Sequence, residues 1–130
     1  MASRGKGARQ KGANFEREIA KLFSERLDRP FKRGLGQTRG GGAEVADVEI
    51  GQDSEDLFHF ELKRHKRSDI KAAMRQAVSD IEEGLSNKVP VAITKDDYKP
   101  IYVTMLLDDF LTIAKVYMDH VDTQRAQDNK

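Results

Sequence analysis

The sequence predicts a single α/β domain, a mixed central β-sheet flanked by helices in the order α-β-β-β-α-β-β-α. Three observations carry that prediction. Apolar residues recur at the 3.6-residue period of an amphipathic helix in three separate stretches. Between them lie short runs that alternate apolar and polar side chains, the period of two that a strand imposes. At 130 residues, 38% hydrophobic and 35% charged, the chain holds apolar material for one modest core and no more.

Residues 1–12 (MASRGKGARQKG) set Arg4, Lys6, Arg9 and Lys11 among small residues that can bury nothing, so a flexible basic arm is expected there. The domain proper is expected over 13–121. Asn14 suits an N-cap, and Phe15, Ile19, Leu22, Phe23 and Leu27 form the stripe of a first helix that ends before Pro30. A short extended piece is expected at 31–33. The glycine-rich run GLGQTRGGG (34–42) then allows tight turns and close approach to a ligand.

Two strands with readable faces come next. In VADVEI (45–50), Val45, Asp47 and Glu49 share one side. In LFHFELK (57–63), Phe58, Phe60 and Leu62 form an apolar side, and His59, Glu61 and Lys63 point the other way. The polar GQDSED between them has hairpin length, so the two strands are expected to pair. A second helix is predicted over 69–83, with Ile70, Ala73, Met74, Ala77, Val78 and Ile81 as its stripe and Gly84 as its stop. Strands follow at 89–94 and 101–105. A third helix is expected over 106–120, with Leu107, Phe110, Leu111, Ala114 and Tyr117 facing in, and residues 122–130 as a polar, frayed tail.

Composition removes several classes of function. The absence of cysteine excludes disulfides, thiolate zinc sites and cysteine nucleophiles. No apolar run reaches membrane-spanning length, and the basic start lacks the apolar segment of a secretory signal, so a cytoplasmic protein without membrane contact is expected. His59, His65 and His120 lack zinc-ligand spacing. With no tryptophan, and its aromatics at core spacing, the chain offers no stacking platform for RNA bases. The net charge of +1 hides a gradient: residues 1–40 carry 11 Lys and Arg against 4 Asp and Glu. A basic first third points to a polyanionic partner, because Lys and Arg release counterions when they neutralise phosphates.

The chemistry-bearing signal is Glu61-Leu62-Lys63. Residues i and i+2 of a strand project from one side, so Glu61 and Lys63 stand together, and a hairpin brings Asp47 across from them. Two carboxylates that converge repel each other unless a cation intervenes. Oxygen ligands of this kind, with the Leu62 carbonyl as a further one, suit Mg²⁺ or Mn²⁺. A lysine beside them stabilises charge on a phosphate, so phosphodiester hydrolysis is the chemistry implied. The basic run Arg64, Lys66 and Arg67 follows directly and is placed for phosphate contacts. Gln76 reads as a surface residue of the second helix.

The segments KGANFEREIAKLF (11–23), RGGGAEVADVEIG (39–51) and FELK (60–63) resemble the archaeal-type Holliday-junction resolvases and their phage relatives, members of the PD-(D/E)xK nuclease superfamily. The resemblance spans roughly residues 11–105. It implies Asp47 and Glu61 as metal ligands, Lys63 as the catalytic lysine, and Glu16 as a further catalytic acid that helps hold the metal or its water. It implies Arg17 and Arg39 as DNA contacts, alongside the basic Lys6, Arg9 and Lys11. It also implies a homodimer acting on branched double-stranded DNA, the four-way junction, with Mg²⁺ or Mn²⁺ and no small-molecule cofactor. Two departures stand out. Ala46 occupies the position of the proline in the superfamily's name, and residues 40–46 (GGGAEVA) lack the hydroxyl that some resolvases carry there. A nuclease of the same fold acting on linear, flapped or foreign duplex DNA, and a non-catalytic DNA-binding protein, remain alternative readings.

Overall fold

The computed structural model describes residues 3–34, 48–50, 57–84 and 86–129, with the backbone alone at 3–6, 8 and 48–50. In chain order these form α1 (Ser3–Leu27), β1 (Phe31–Arg33), β2 (Val48–Ile50), β3 (Phe58–His65), α2 (Ile70–Glu83), β4 (Val89–Asp96), β5 (Ile101–Met105) and α3 (Leu107–Asp128). This is the order and the mixed α/β class that the sequence predicts. The five strands build one sheet in the order β1-β2-β3-β4-β5. Neighbours are antiparallel except β3 and β4, which run parallel. Parallel neighbours need a crossover, and α2 supplies it.

Strand alternation gives the sheet two differently covered faces. Phe60 and Leu62 of β3 stand in register with Val91 and Ile93 of β4. All four are buried in one cluster with Phe15, Ile19 and Ala20 of α1. Fully burying side chains such as Phe15 and Ile19 is worth about 1.5–3 kcal/mol each, so α1 is held to this face chiefly by them. Phe23 adds edge-on contacts to Phe31 and Phe60, with ring centroids 5.4 and 5.1 Å away. The Ser24 hydroxyl accepts from the Phe31 amide at 2.9 Å, which fixes the turn out of α1 into β1. The opposite face carries α2, whose Ala73 and Ala77 are fully buried against the sheet.

Three expectations need correction. Residues 3–12, read as a flexible arm, are helical, and α1 begins at Ser3 rather than near residue 15. Nothing in that stretch forbids helix. Its glycines cost about 1 kcal/mol each but no proline interrupts it, and Lys11 is tied to Asp97 at 2.8 Å. Asn14 is therefore a mid-helix residue, its side-chain oxygen accepting from Gln10 and Arg17. Residues 122–128, read as a frayed tail, continue α3 to Asp128. The inward face expected of α3 is absent as well: no residue of α3 is buried, and Leu107, Phe110, Leu111 and Tyr117 are all more than half exposed. The helix begins one residue after β5, too soon for the chain to turn back over the sheet. Among the described residues, no helix is long and apolar enough to cross a membrane.

Candidate active site

Helix α2 starts cleanly because the Asp69 side chain accepts from the Ala72 amide at 2.9 Å. Its buried positions fall at Ala73, Ala77 and Asp80, spaced four and three residues apart on one stripe. The two alanines let the helix approach the sheet closely, and that approach takes the third position, an acid, out of water. The sequence stripe expected here included Ile81; it is Asp80 that is buried, with Ile81 only half-buried.

A buried carboxylate must be satisfied. Asp80 Oδ2 lies 3.2 Å from His59 Nε2 on β3, and Gln76 Nε2 donates to Asp80 Oδ1 at 2.7 Å. Gln76, read from sequence as a plain surface residue, thus also holds the buried acid. Two residues beyond His59 on the same side of β3, Glu61 is 7% exposed. Ligand atoms of His59, Glu61 and Asp80 all lie within 4.8 Å of one another. Lys63 follows, its Nζ 3.3 Å from Glu61 Oε1 and its side chain 42% exposed. This side of β3 thus runs from a buried imidazole through a buried carboxylate to an ammonium open to solvent.

Asp47 and Arg39 lie outside the described residues. The chain neighbours of Asp47 and Glu61 do meet, since Val48 pairs with Phe60 across β2 and β3. Glu16 is not gathered into the cluster. Its Oε1 accepts from Arg33 Nε at 3.0 Å. Arg33 is two residues from Phe31 and shares its side of β1, so Glu16 sits on the α1 face while Glu61 sits on the α2 face.

The basic residues collect at the end of the sheet where β3 finishes. There Lys11 Nζ reaches Asp97 Oδ1 at 2.8 Å, and Arg64 lies 3.9 Å from both Asp97 and Glu18. The hydrogen bond from Lys11 holds the Asp97 carboxyl below the usual carboxylate range, against the opposing effect of burial, with Lys11, Arg64 and Lys95 adding attraction. Lys66 and Arg67 are exposed in the turn after β3, and Arg9 and Arg17 are exposed on α1. Lys6 is part of the same helix. The N-terminal half of α1 and the turn after Lys63 therefore meet where Lys11 and Arg64 flank Asp97.

Residues 7–129 match the model of the family described as "Phage putative PDDEXK endonuclease". The chain belongs to this family. No curated protein and no solved structure matched it. Membership in this PDDEXK family makes the chain a nuclease of the PD-(D/E)xK superfamily, and the observed α/β order agrees with that fold. Nucleases of this superfamily act on DNA with divalent metal ions, and the donors present suit one. Glu61 and Asp80 are buried carboxylates set close together, a pairing that a cation relieves. Carboxylate oxygens suit Mg²⁺ or Mn²⁺, whereas the His59 imidazole is engaged by Asp80. Sequence reasoning missed Asp80 in the PDDEXK chain, because its burial follows from the close approach of α2 to the sheet at Ala73 and Ala77.

Proposed function

We propose that this PDDEXK endonuclease is a structure-selective enzyme that resolves four-way DNA junctions by phosphodiester hydrolysis, working as a homodimer in the host cytoplasm. The observation that carries the chemistry is the Glu61–Lys63 pair, a buried carboxylate 3.3 Å from a solvent-open ammonium on one side of β3. Asp47, Glu61 and the Leu62 carbonyl are assigned as the ligands of Mg²⁺ or Mn²⁺. Bound there, the ion supplies positive charge that lowers the pKa of water and offsets the charge of the phosphate. Lys63 places its ammonium where charge develops on the attacked phosphate. His59 and Asp80, hydrogen-bonded beneath α2, hold the buried end of β3 so that Glu61 keeps its orientation. Glu16 is proposed as an outer acid whose partner is Arg33.

The substrate class follows from the distribution of cations. Lys6, Arg9, Lys11, Arg17, Arg39, Arg64, Lys66 and Arg67 are assigned to the DNA backbone, a mode that reads shape rather than base sequence. A four-way junction is cut symmetrically by two sites related by a two-fold axis, which two copies supply. The resemblance of 11–23, 39–51 and 60–63 to the junction resolvases favours this substrate over linear or flapped duplex.

The test is digestion of an end-labelled synthetic four-way junction with Mg²⁺ or Mn²⁺, beside linear duplex and flap substrates. Paired symmetric nicks on the junction alone, lost in Lys63→Ala, are expected. Equal cutting of linear duplex or flaps would keep the site and discard the substrate, and binding without cutting would leave a DNA-binding protein.

A further inference from the structure

Among the described residues, two apolar surfaces lack a cover, and they complement each other. The first is α3. Its stripe of Leu107, Phe110, Leu111, Ala114, Tyr117 and Val121 follows helical spacing, yet no residue of the helix is buried. The second is a groove of about 520 Å³ on the α1 face of the sheet, lined by Phe31, Leu57, Phe58, Val91, Val103 and Met105, with Arg29 at its rim. It exists because α1 packs over β1, β2 and β3 and leaves the same face of β5 open. Val103 and Leu57 are 60% and 64% exposed there.

We propose that α3 of one copy fills this groove on a second copy, and reciprocally, so that the dimer is joined by exchanged helices. Two observations choose this occupant. The connection between β5 and α3 is Leu106 alone, in extended conformation, so a helix leaving Met105 has no loop with which to fold back over its own β5. A hinge this short favours exchange between copies. The charges match: α3 opens with Asp108 and Asp109, whereas α1 closes with Arg26 and the groove carries Arg29.

This rests on the homodimer reading above and names its surface. Its test reads mass and cross-linking rather than cleavage. The chain has no cysteine, so single thiols report cleanly. Leu57→Cys in one tagged chain and Leu111→Cys in a differently tagged chain, unfolded and refolded together, are expected to give a mixed covalent pair with a short bis-maleimide. In one chain, the two substitutions together are expected to link two copies and not to close within one. Leu111→Asp, a change at a side chain 52% exposed in the single copy, is expected to halve the mass measured by light scattering to 14.7 kDa with the circular dichroism spectrum unchanged. A wild-type chain that is monomeric at high concentration overturns the exchange and the homodimer together. A dimer that gives no mixed pair, or closes the two thiols within one chain, overturns the exchange alone.

Discussion

His59 Nε2 and Asp80 Oδ2 meet at 3.2 Å, a strand residue and a helix residue 21 positions apart, both nearly closed to solvent. The contact pins α2 to the end of β3 at which the Glu61 side begins. Asp80 also accepts from the exposed Gln76 amide, so its removal leaves the buried His59 ring without its partner on α2.

Asp80→Ala is therefore expected to destabilise the fold by roughly 1–3 kcal/mol, the cost of leaving buried polar groups unpaired. Urea unfolding measures it. Asp80→Asn keeps the shape and should cost less. Both are expected to slow cleavage by disturbing the neighbouring Glu61.

Lys63 is half-open to solvent and contributes no core packing, so its loss should separate chemistry from folding. Lys63→Ala is expected to lower the single-turnover cleavage rate by about 10²–10³-fold, the usual scale for removing one group that stabilises transition-state charge. Junction binding should stay within a few-fold, and the melting temperature should hardly move.

A divalent ion that binds the folded site and not the unfolded chain raises stability by about 2.7 kcal/mol at a hundred times its dissociation constant. Thermal melting with increasing Mn²⁺ is expected to show this rise in the wild type. In Glu61→Gln the rise should vanish while the fold persists. A wild-type melting curve indifferent to Mn²⁺ and Mg²⁺ would remove Glu61 from the ligand set.

Asp97 pairs with Lys11 and lies 3.9 Å from Arg64, two cations assigned above to the DNA backbone as a proposal. Asp97→Asn is expected to tighten junction binding several-fold and to steepen its salt dependence, since more cations become available for counterion release. The acid response follows from the lowered pKa. Above the ordinary value of 3.8 the carboxylate's contribution to stability is complete, and it is lost as pH falls through the lower value in the fold. The wild type should thus lose stability more steeply than Asp97→Asn in the range below about pH 4.

Gly12 lies inside α1, and a Cβ built there would meet no atom within 4 Å. Gly12→Ala is expected to stabilise the chain by about 0.5–1 kcal/mol, through the unfolded state's lost freedom. A rise in melting temperature with cleavage unchanged checks it.

The strand and helix order could be read from periodicity because each core element alternates cleanly: β1, β5 and α2 lie at or within a residue of where the pattern puts them. Glu61 and Lys63 were legible for the same reason, since period two places them together on any straight strand. Asp80 was not, because its burial depends on how closely two alanines let α2 approach, a tertiary fact with no local mark. The start of α1 was misread because glycine and charge lower helix propensity without forbidding it, and a helix anchored by Phe15 and Ile19 extends backward past that cost. The exposure of α3 was hidden for a different reason. An apolar stripe says that a face will be covered, not that the same chain covers it.

Strand β3 carries Phe60 and Leu62 on one side and His59 and Glu61 on the other, all four buried. A single inserted or deleted residue at 58 or 59 would exchange the two sets, sending carboxylate into the apolar cluster and phenyl rings against α2. The segment therefore has no neutral drift in length. Nuclease chemistry and foldability would fail in the same step, and variants that survive selection at this strand must change by substitution alone.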